Sequence, residues 1–459
     1  MTWYLAVLFF CFVLPITLFV YYTAPQKFKN AVLVICSLFF YSWGEVKYFP
    51  IMIASILVDY IVSLVIERNR EKKGICKICM GISLLFNLGM LFFFKYTNFF
   101  VDNINAFAGT HFAGIQLTLP LGISFYTFQT LSYTIDVYRG KTKAERNIVN
   151  FAAFVTLFPQ LIAGPIVKYT DVSRELRERK MNLAQINEGI TLFIFGLGKK
   201  VLIANNIGSL WNQVQDIGFS NVSTPLAWLG ILAYSFQIYF DFSGYSLMAI
   251  GMGKMLGFEF PQNFNYPYIS KSMTEFWRRW HITLGSWFRE YVYIPLGGNR
   301  VSKPRMYFNI FIVWAATGFW HGASWNFVLW GLFFFVFLVL EKTFLLKYLE
   351  KSHVFSHIYV CFFLVLSWAL FAITDFSQLG IFLERLFSFS SGSDWMYYLR
   401  NYLVTFLLAI FCSIPLVEKL YNKIKKIAFV NLLILAVILI VSIAYLVDAT
   451  YNPFLYFRF

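Results

Sequence analysis

Long apolar runs constrain this chain more than any other feature. Tyr48–Ile66, Cys79–Val101, Pro225–Gly244 and Asn431–Val447 are long, predominantly apolar runs. Backbone that crosses lipid must satisfy its own N–H and C=O groups, which leaves helices and closed barrels. A helical span needs about 18 or more continuous apolar residues, whereas a barrel strand alternates over about 10. The runs are continuous, so the expected class is an all-α integral membrane protein. Composition agrees: 59% of residues are hydrophobic and 13% charged, against about 45–50% and 25% in soluble domains. No large soluble domain is expected anywhere in the chain.

The net charge of +15 raises nucleic acid as a partner, but the distribution argues against it. Lys and Arg concentrate in short loops between apolar runs, the pattern that orients membrane proteins with basic loops inside. Glu67-Arg-Asn-Arg-Glu-Lys-Lys73, the 139–146 loop and the 168–180 segment are such loops, while 102–118 lacks both residues. Counting back from the 67–73 loop places Lys27 and Lys29 inside and the N-terminus outside. Met1–Tyr22 is expected to be retained as a span, being too long for a signal-peptide apolar region and lacking a basic start. Phe151–Val167 has basic flanks on both sides and contains Pro159, Gly164 and Pro165. It reads as a re-entrant segment, tolerated only when buried in protein or lining a cavity.

Tyr307–Glu341 is too long for one span and also has basic flanks, so it is expected to form a hairpin turning near Gly322–Asn326. Asn187–Gly198 and Val201–Leu210 are short and cannot be placed. Pro225–Gly244 and Met248–Phe258 read as separate segments, with Gly253 and Gly257 spaced for close helix contact. Asp375–Tyr398 and the tail Asp448–Phe459 are expected outside. The total is about ten to twelve membrane segments. The chain 1–459 reads as a single membrane-embedded domain. Residues 259–305 form a cytoplasmic amphipathic, interfacial segment within it.

The chemistry-bearing residues concentrate between Ser270 and Asn326. His321 lies among Phe319, Trp320 and Trp325 in an apolar run, and an ionisable group there costs free energy unless it has a partner or a role. Histidine titrates near neutral pH, as a general base must. Gly318 and Gly322 would let another helix or a ligand approach it closely. The alternative is a structural histidine bonded to a carbonyl. His281, set on a helix with Trp277 and Gly285 one turn to either side, is either an interfacial residue or an assistant to the base or donor.

Ser272 and Glu275 have capping-box spacing, so a helix is expected to start near Met273. Its Phe276, Trp277, Trp280 and Phe288 interleave with Arg278, Arg279 and Arg289, which suits a helix lying flat at the interface. The arginines, with Lys271 and Arg300, would suit phosphates or simply set topology. Asp241 ends an apolar span and should have a partner, such as an Arg from the cytoplasmic stretch. Asn263, Asn265 and Pro267 read as a hydrogen-bonded turn. Cys76 and Cys79 lack the second ligand pair that a zinc site needs. Phosphate loops, dinucleotide fingerprints and nucleophile elbows are absent.

Five motifs in order resemble the membrane-bound O-acyltransferase family: Phe158-Pro-Gln-Leu-Ile-Ala-Gly-Pro165, Tyr239-Phe-Asp-Phe-Ser-Gly-Tyr245, Trp277-Arg-Arg-Trp-His281, Tyr293-Ile-Pro-Leu-Gly-Gly-Asn299 and Gly318-Phe-Trp-His321-Gly-Ala. The likeness is greatest to the bacterial membrane subunit of alginate O-acetyltransferase and relatives that acetylate wall polysaccharides. It implies a multi-helix fold around a central tunnel, in the bacterial cytoplasmic membrane. His321 would be catalytic and His281 the second polar position, with Arg278, Arg279, Trp280, Asn299, Asp241 and Trp320 as donor- or substrate-binding positions. It further implies acetyl-CoA or another acyl thioester as donor, with no tightly bound cofactor or metal. An extracytoplasmic SGNH-type partner, a polysaccharide acceptor and membrane lipids are the implied partners. Direct transfer is the simpler chemistry, with His281 or a backbone N–H near Gly322 facing the oxyanion. A transporter or flippase would show paired repeats and several midplane charges, and D-alanyl transfer to teichoic acid is the nearer alternative.

Overall fold

A computed structural model describes residues 13–115, 117–161, 164–448 and 455. Among the described residues every regular element is helical, and seven helices are long and apolar enough to cross a membrane. The chain forms two compact units. One comprises the described residues up to Phe193 with Ala249–Pro261; the other comprises Ile194–Met248 with the described residues from Gln262 onward. Two of the boundaries fall within the helices Leu183–Gly198 and Thr224–Met255, and the third lies between Pro261 and Gln262, outside any helix.

In the N-terminal unit, Phe49–Arg68, Lys73–Ala108 and Ile123–Tyr138 pack together around a buried carboxylate. Asp59 accepts hydrogen bonds from Ser83, from Asn87 Nδ2 at 2.7 Å and from Thr134 Oγ1 at 2.9 Å. Each donor sits on a neighbouring helix, so the acid joins all three. The expected external loop starts later than 102, because one 36-residue helix runs from Lys73 to Ala108. The 151–167 segment is broken as its prolines demand: Ile148–Thr156 ends, Phe158–Leu161 makes one turn, and 164–167 are buried without helical structure. Its irregular backbone is buried in protein, as expected. Expectations about residues 1–12 lie outside the described residues.

The C-terminal unit carries both histidines. Leu183–Gly198, a π-helical stretch Lys199–Asn205 and Asn206–Ile217 follow one another without a break, which resolves the two segments that could not be placed. Thr224–Met255 is one 32-residue helix and not two segments. Gly253 meets the Phe260 ring and Gly257 turns the chain at φ +84°, so neither glycine receives a second helix. The region after Asp375 contains the helix Phe376–Phe387, capped by the Asp375 side chain on Gln378 N at 2.8 Å.

The expected hairpin is present as Lys303–His321 and Trp325–Leu340. Glycine sets how closely its arms approach. A Cβ on Gly318 would lie 2.3 Å from Phe327 O, and one on Gly331 would lie 2.4 Å from Trp314 O. The close approach foreseen at Gly318 and Gly322 is therefore made by the hairpin's own second arm. The Phe327 ring would stand 2.2 Å from a Cβ on Gly322.

The aromatic residues expected to lie at a membrane interface are instead core. Phe276 and Trp280 are buried, and Trp277 meets Trp314 and Phe334 at 4.8 Å each. Burial inside the protein removes more apolar surface from water than a flat interfacial helix would. The two helices here, Met273–Arg279 and Ile282–Phe288, are also too short to lie as one amphipathic rod.

Gly331→Leu should prevent the hairpin from closing and abolish folded protein, read as loss of the monodisperse peak on size exclusion. Gly380→Ala, in an exposed helix with no atom within 4 Å of the new Cβ, should instead stabilise by about 0.5–1 kcal/mol.

Candidate active site

Asn263 sets the geometry. Its Oδ1 accepts from Thr283 N at 3.3 Å and Thr283 Oγ1 at 2.9 Å. Because a backbone N–H can only donate, this fixes the amide with its oxygen towards Thr283. The same oxygen lies 3.1 Å from His281 Nδ1, so that nitrogen must carry the proton. In the neutral ring Nε2 then holds the lone pair. The surrounding backbone is paired as well: Ile282 N donates to Asn263 O at 3.0 Å, and Asn265 N to Arg279 O at 2.9 Å.

These bonds hold His281 at φ 45°, ψ 53°, in the left-handed region. Non-glycine residues occupy it only when the surroundings over-determine them. The helix therefore breaks at His281, and the face shared with Trp277 and Gly285 does not exist. Burial holds the His281 imidazolium pKa down to about 3, so the ring is neutral throughout the physiological range.

His321 is the last residue of the hairpin's first arm. Its ring meets Trp320 at 5.0 Å, Trp330 at 5.0 Å and Phe371 at 5.3 Å, all edge-to-face. Asn326 helps to place Phe371, donating from Nδ2 to Leu370 O and Phe371 O at 3.2 and 3.3 Å. On the other side Trp320 meets His281 at 6.0 Å, and His281 meets Phe242 at 4.7 Å. One indole thus contacts two histidines that are 2% and 5% exposed.

Residues 143–357 match the profile of the MBOAT, membrane-bound O-acyltransferase family. "Probable alginate O-acetylase AlgI" of Azotobacter vinelandii is 39% identical over 387 residues, 83% of this chain and 77% of that protein. The chain belongs to the membrane-bound O-acyltransferase family. It is an O-acyltransferase and a membrane protein. "Peptidoglycan O-acetyltransferase" of Helicobacter pylori is 39% identical, over 68% of this chain and 64% of its own length. "Teichoic acid D-alanyltransferase" of Streptococcus thermophilus is 31% identical, over 50% of this chain and 58% of its own.

The O-acyltransferase fold brings together His281, His321 and Trp320 from the residues picked out by sequence. Trp280 is packed away from them, against Phe276, Phe264 and Trp368 at 5.0–5.5 Å. Arg279 is tied to Glu275 at 2.9 Å, while Arg278 and Asn299 are exposed. Asp241 is paired with Lys200 and not with an arginine, and its Oδ2 accepts from Leu455 N at 2.8 Å. Leu455 is buried; the other residues after Asp448 lie outside the described residues. The capping box is present in altered form: Ser272 Oγ accepts from Glu275 N at 3.0 Å, while Glu275 accepts from Lys271 N.

Sequence reasoning missed Lys200, Phe242, Trp330 and Phe371, and read Asn263 only as part of a turn. Lys200 alone left a signal, a cation within an apolar run that would match the acid Asp241 in another. Gly196 and Gly244 bring that pair together, because a Cβ on either would lie within 2.8 Å of the other's carbonyl oxygen.

Asp241→Asn should destabilise by about 3–5 kcal/mol by stranding buried Lys200, and Lys200→Met combined with Asp241→Leu should recover most of that loss; unfolding in detergent checks both. The depressed His281 pKa carries a sign. Between about 6.5 and 3 the unfolded ring is protonated and the folded ring is not, so stability is complete above pH 6.5 and falls on acidification by up to about 1.4 kcal/mol per unit. His281→Gln should flatten that slope in melting temperatures taken from pH 7 to pH 4.5.

Proposed function

We propose that this O-acyltransferase takes acetyl from a cytoplasmic thioester such as acetyl-CoA and passes it across the cytoplasmic membrane towards hydroxyl groups of an extracytoplasmic polysaccharide, with His321 as general base. The observation that carries the reading is the pair of buried histidines on either side of Trp320. A thioester is already activated, whereas a hydroxyl is almost wholly protonated at neutral pH. The chemistry therefore needs a neutral base at the point of attack.

His321 takes the hydroxyl proton as the oxygen attacks the thioester carbonyl carbon. The carbon–sulfur bond then breaks, and the thiolate leaves with the proton returned from the imidazolium. His281 has a different part. With its Nδ1–H committed to Asn263, it offers a lone pair at Nε2 and not a donor for the oxyanion. It orients a hydroxyl or relays its proton. The enclosing rings of Trp320, Trp330 and Phe371 keep water from competing with the acceptor for the acyl group.

Acetyl is favoured over D-alanyl because the relatives named for acetylation match more of the chain at higher identity. An SGNH-type extracytoplasmic enzyme is the proposed recipient that modifies the polymer. With purified protein and radiolabelled acetyl-CoA, His321→Ala should lower kcat by about 10²- to 10⁴-fold, with little change in KM. Transfer at the wild-type rate would refute the assignment.

A further inference from the structure

We infer that the N-terminal unit binds a phosphate monoester between Lys29 and Arg179. Lys29 opens the helix Lys29–Gly44, and Arg179 follows the helix Tyr169–Arg177. Their side chains are buried, at 6% and 7% exposure. Both lie over the same ring, with Lys29 Nζ at 4.8 Å and Arg179 Cζ at 5.6 Å from the Tyr21 centroid. Two like charges are therefore buried together.

All 23 acidic residues of the sequence are among the described residues, and neither cation has a side-chain carboxylate within ion-pair distance. Glu175 acts on Arg179 only from farther away. Among the described residues Arg179 gives a hydrogen bond to Asn30 Oδ1, while its buried Nε and Nη1 make none. Among the described residues Lys29 Nζ makes its one polar contact with Met181 Sδ, at 4.0 Å. The Phe258 ring, 4.5 Å from the guanidinium, offers a cation–π contact. Rings do not discharge two cations, and buried charges persist when paired with opposite charge.

The chemistry of the proposed ligand follows from the groups that would bind it. A carboxylate would neutralise one cation and leave the other. A phosphate monoester carries close to two negative charges and enough oxygens to accept from Nε, Nη1 and Nζ at once. Lys27, Glu178 and Lys180, close in sequence to the two cations, are exposed. The basic 168–180 segment and Lys27 mark this end of the unit as the cytoplasmic side. A soluble phosphate ester and the headgroup of phosphatidic acid share this chemistry. The site shares no residue with the histidine site, and it stands whether or not the proposed acetyl transfer does.

The full-length protein in phosphatidylcholine nanodiscs tests the assignment by thermal unfolding. One arm adds glycerol phosphate against chloride at equal ionic strength, and the other replaces part of the lipid with phosphatidic acid. Wild type should gain at least about 3 °C in one arm, and which arm responds identifies the source. Lys29→Met should lose that gain, while Lys29→Arg, which keeps the charge, should retain it. An equal gain in Lys29→Met would mean an adventitious ion only and overturn the assignment. So would no gain in wild type in either arm.

Discussion

The histidine site depends on one amide oxygen. Asn263 Oδ1 accepts from the main chain and the hydroxyl of Thr283, and from the His281 ring. Three donors on one buried acceptor fix the position of the loop, the break between two short helices and the tautomer of a histidine together. In an environment of low polarity a lost partner is not replaced by water, so such a network is rigid when complete. The left-handed backbone of His281 is tolerable only because these bonds over-determine it.

The same principle recurs wherever the protein buries a polar group. Glu341, 1% exposed, accepts from Met273 N at 2.6 Å and Thr274 N at 2.9 Å, seating a carboxylate on the first turn of the helix that leads to His281. Favourable interaction with the positive end of the helix adds to those bonds. Asp59 joins three helices in the N-terminal unit, and Asp241 with Lys200 joins two in the other. None of these groups is part of the proposed chemistry. They hold the helices that carry it, with glycines at 196, 244, 318 and 331 setting how closely those helices pass.

How much of this was legible in the sequence depended on the range of each interaction. The hairpin was legible because length, basic flanks and the small residues at its turn are all local. His321 was legible because a lone imidazole in a hydrocarbon run is conspicuous wherever the chain goes. Thr224–Met255 is one helix where the sequence reads as two segments, and Gly244, at the end of the first, is a contact surface for Gly196. The aromatic residues between Phe276 and Phe288 were read as interfacial. Periodicity shows that a face is apolar, but not whether lipid or protein covers it.

Sequence alone determined that the chain is an all-helical membrane protein and that His321 is chemically exceptional. These follow from hydrophobic length and the cost of burying one imidazole. Only the tertiary structure decided that His281 meets the same indole as His321, that its Nδ1 bears the proton, and that Trp280 and Asp241 belong to the scaffold. Those outcomes rest on partners 18 or more residues away, such as Asn263 for His281 and Lys200 for Asp241. No local pattern encodes such a pairing; it exists only once the helices have packed.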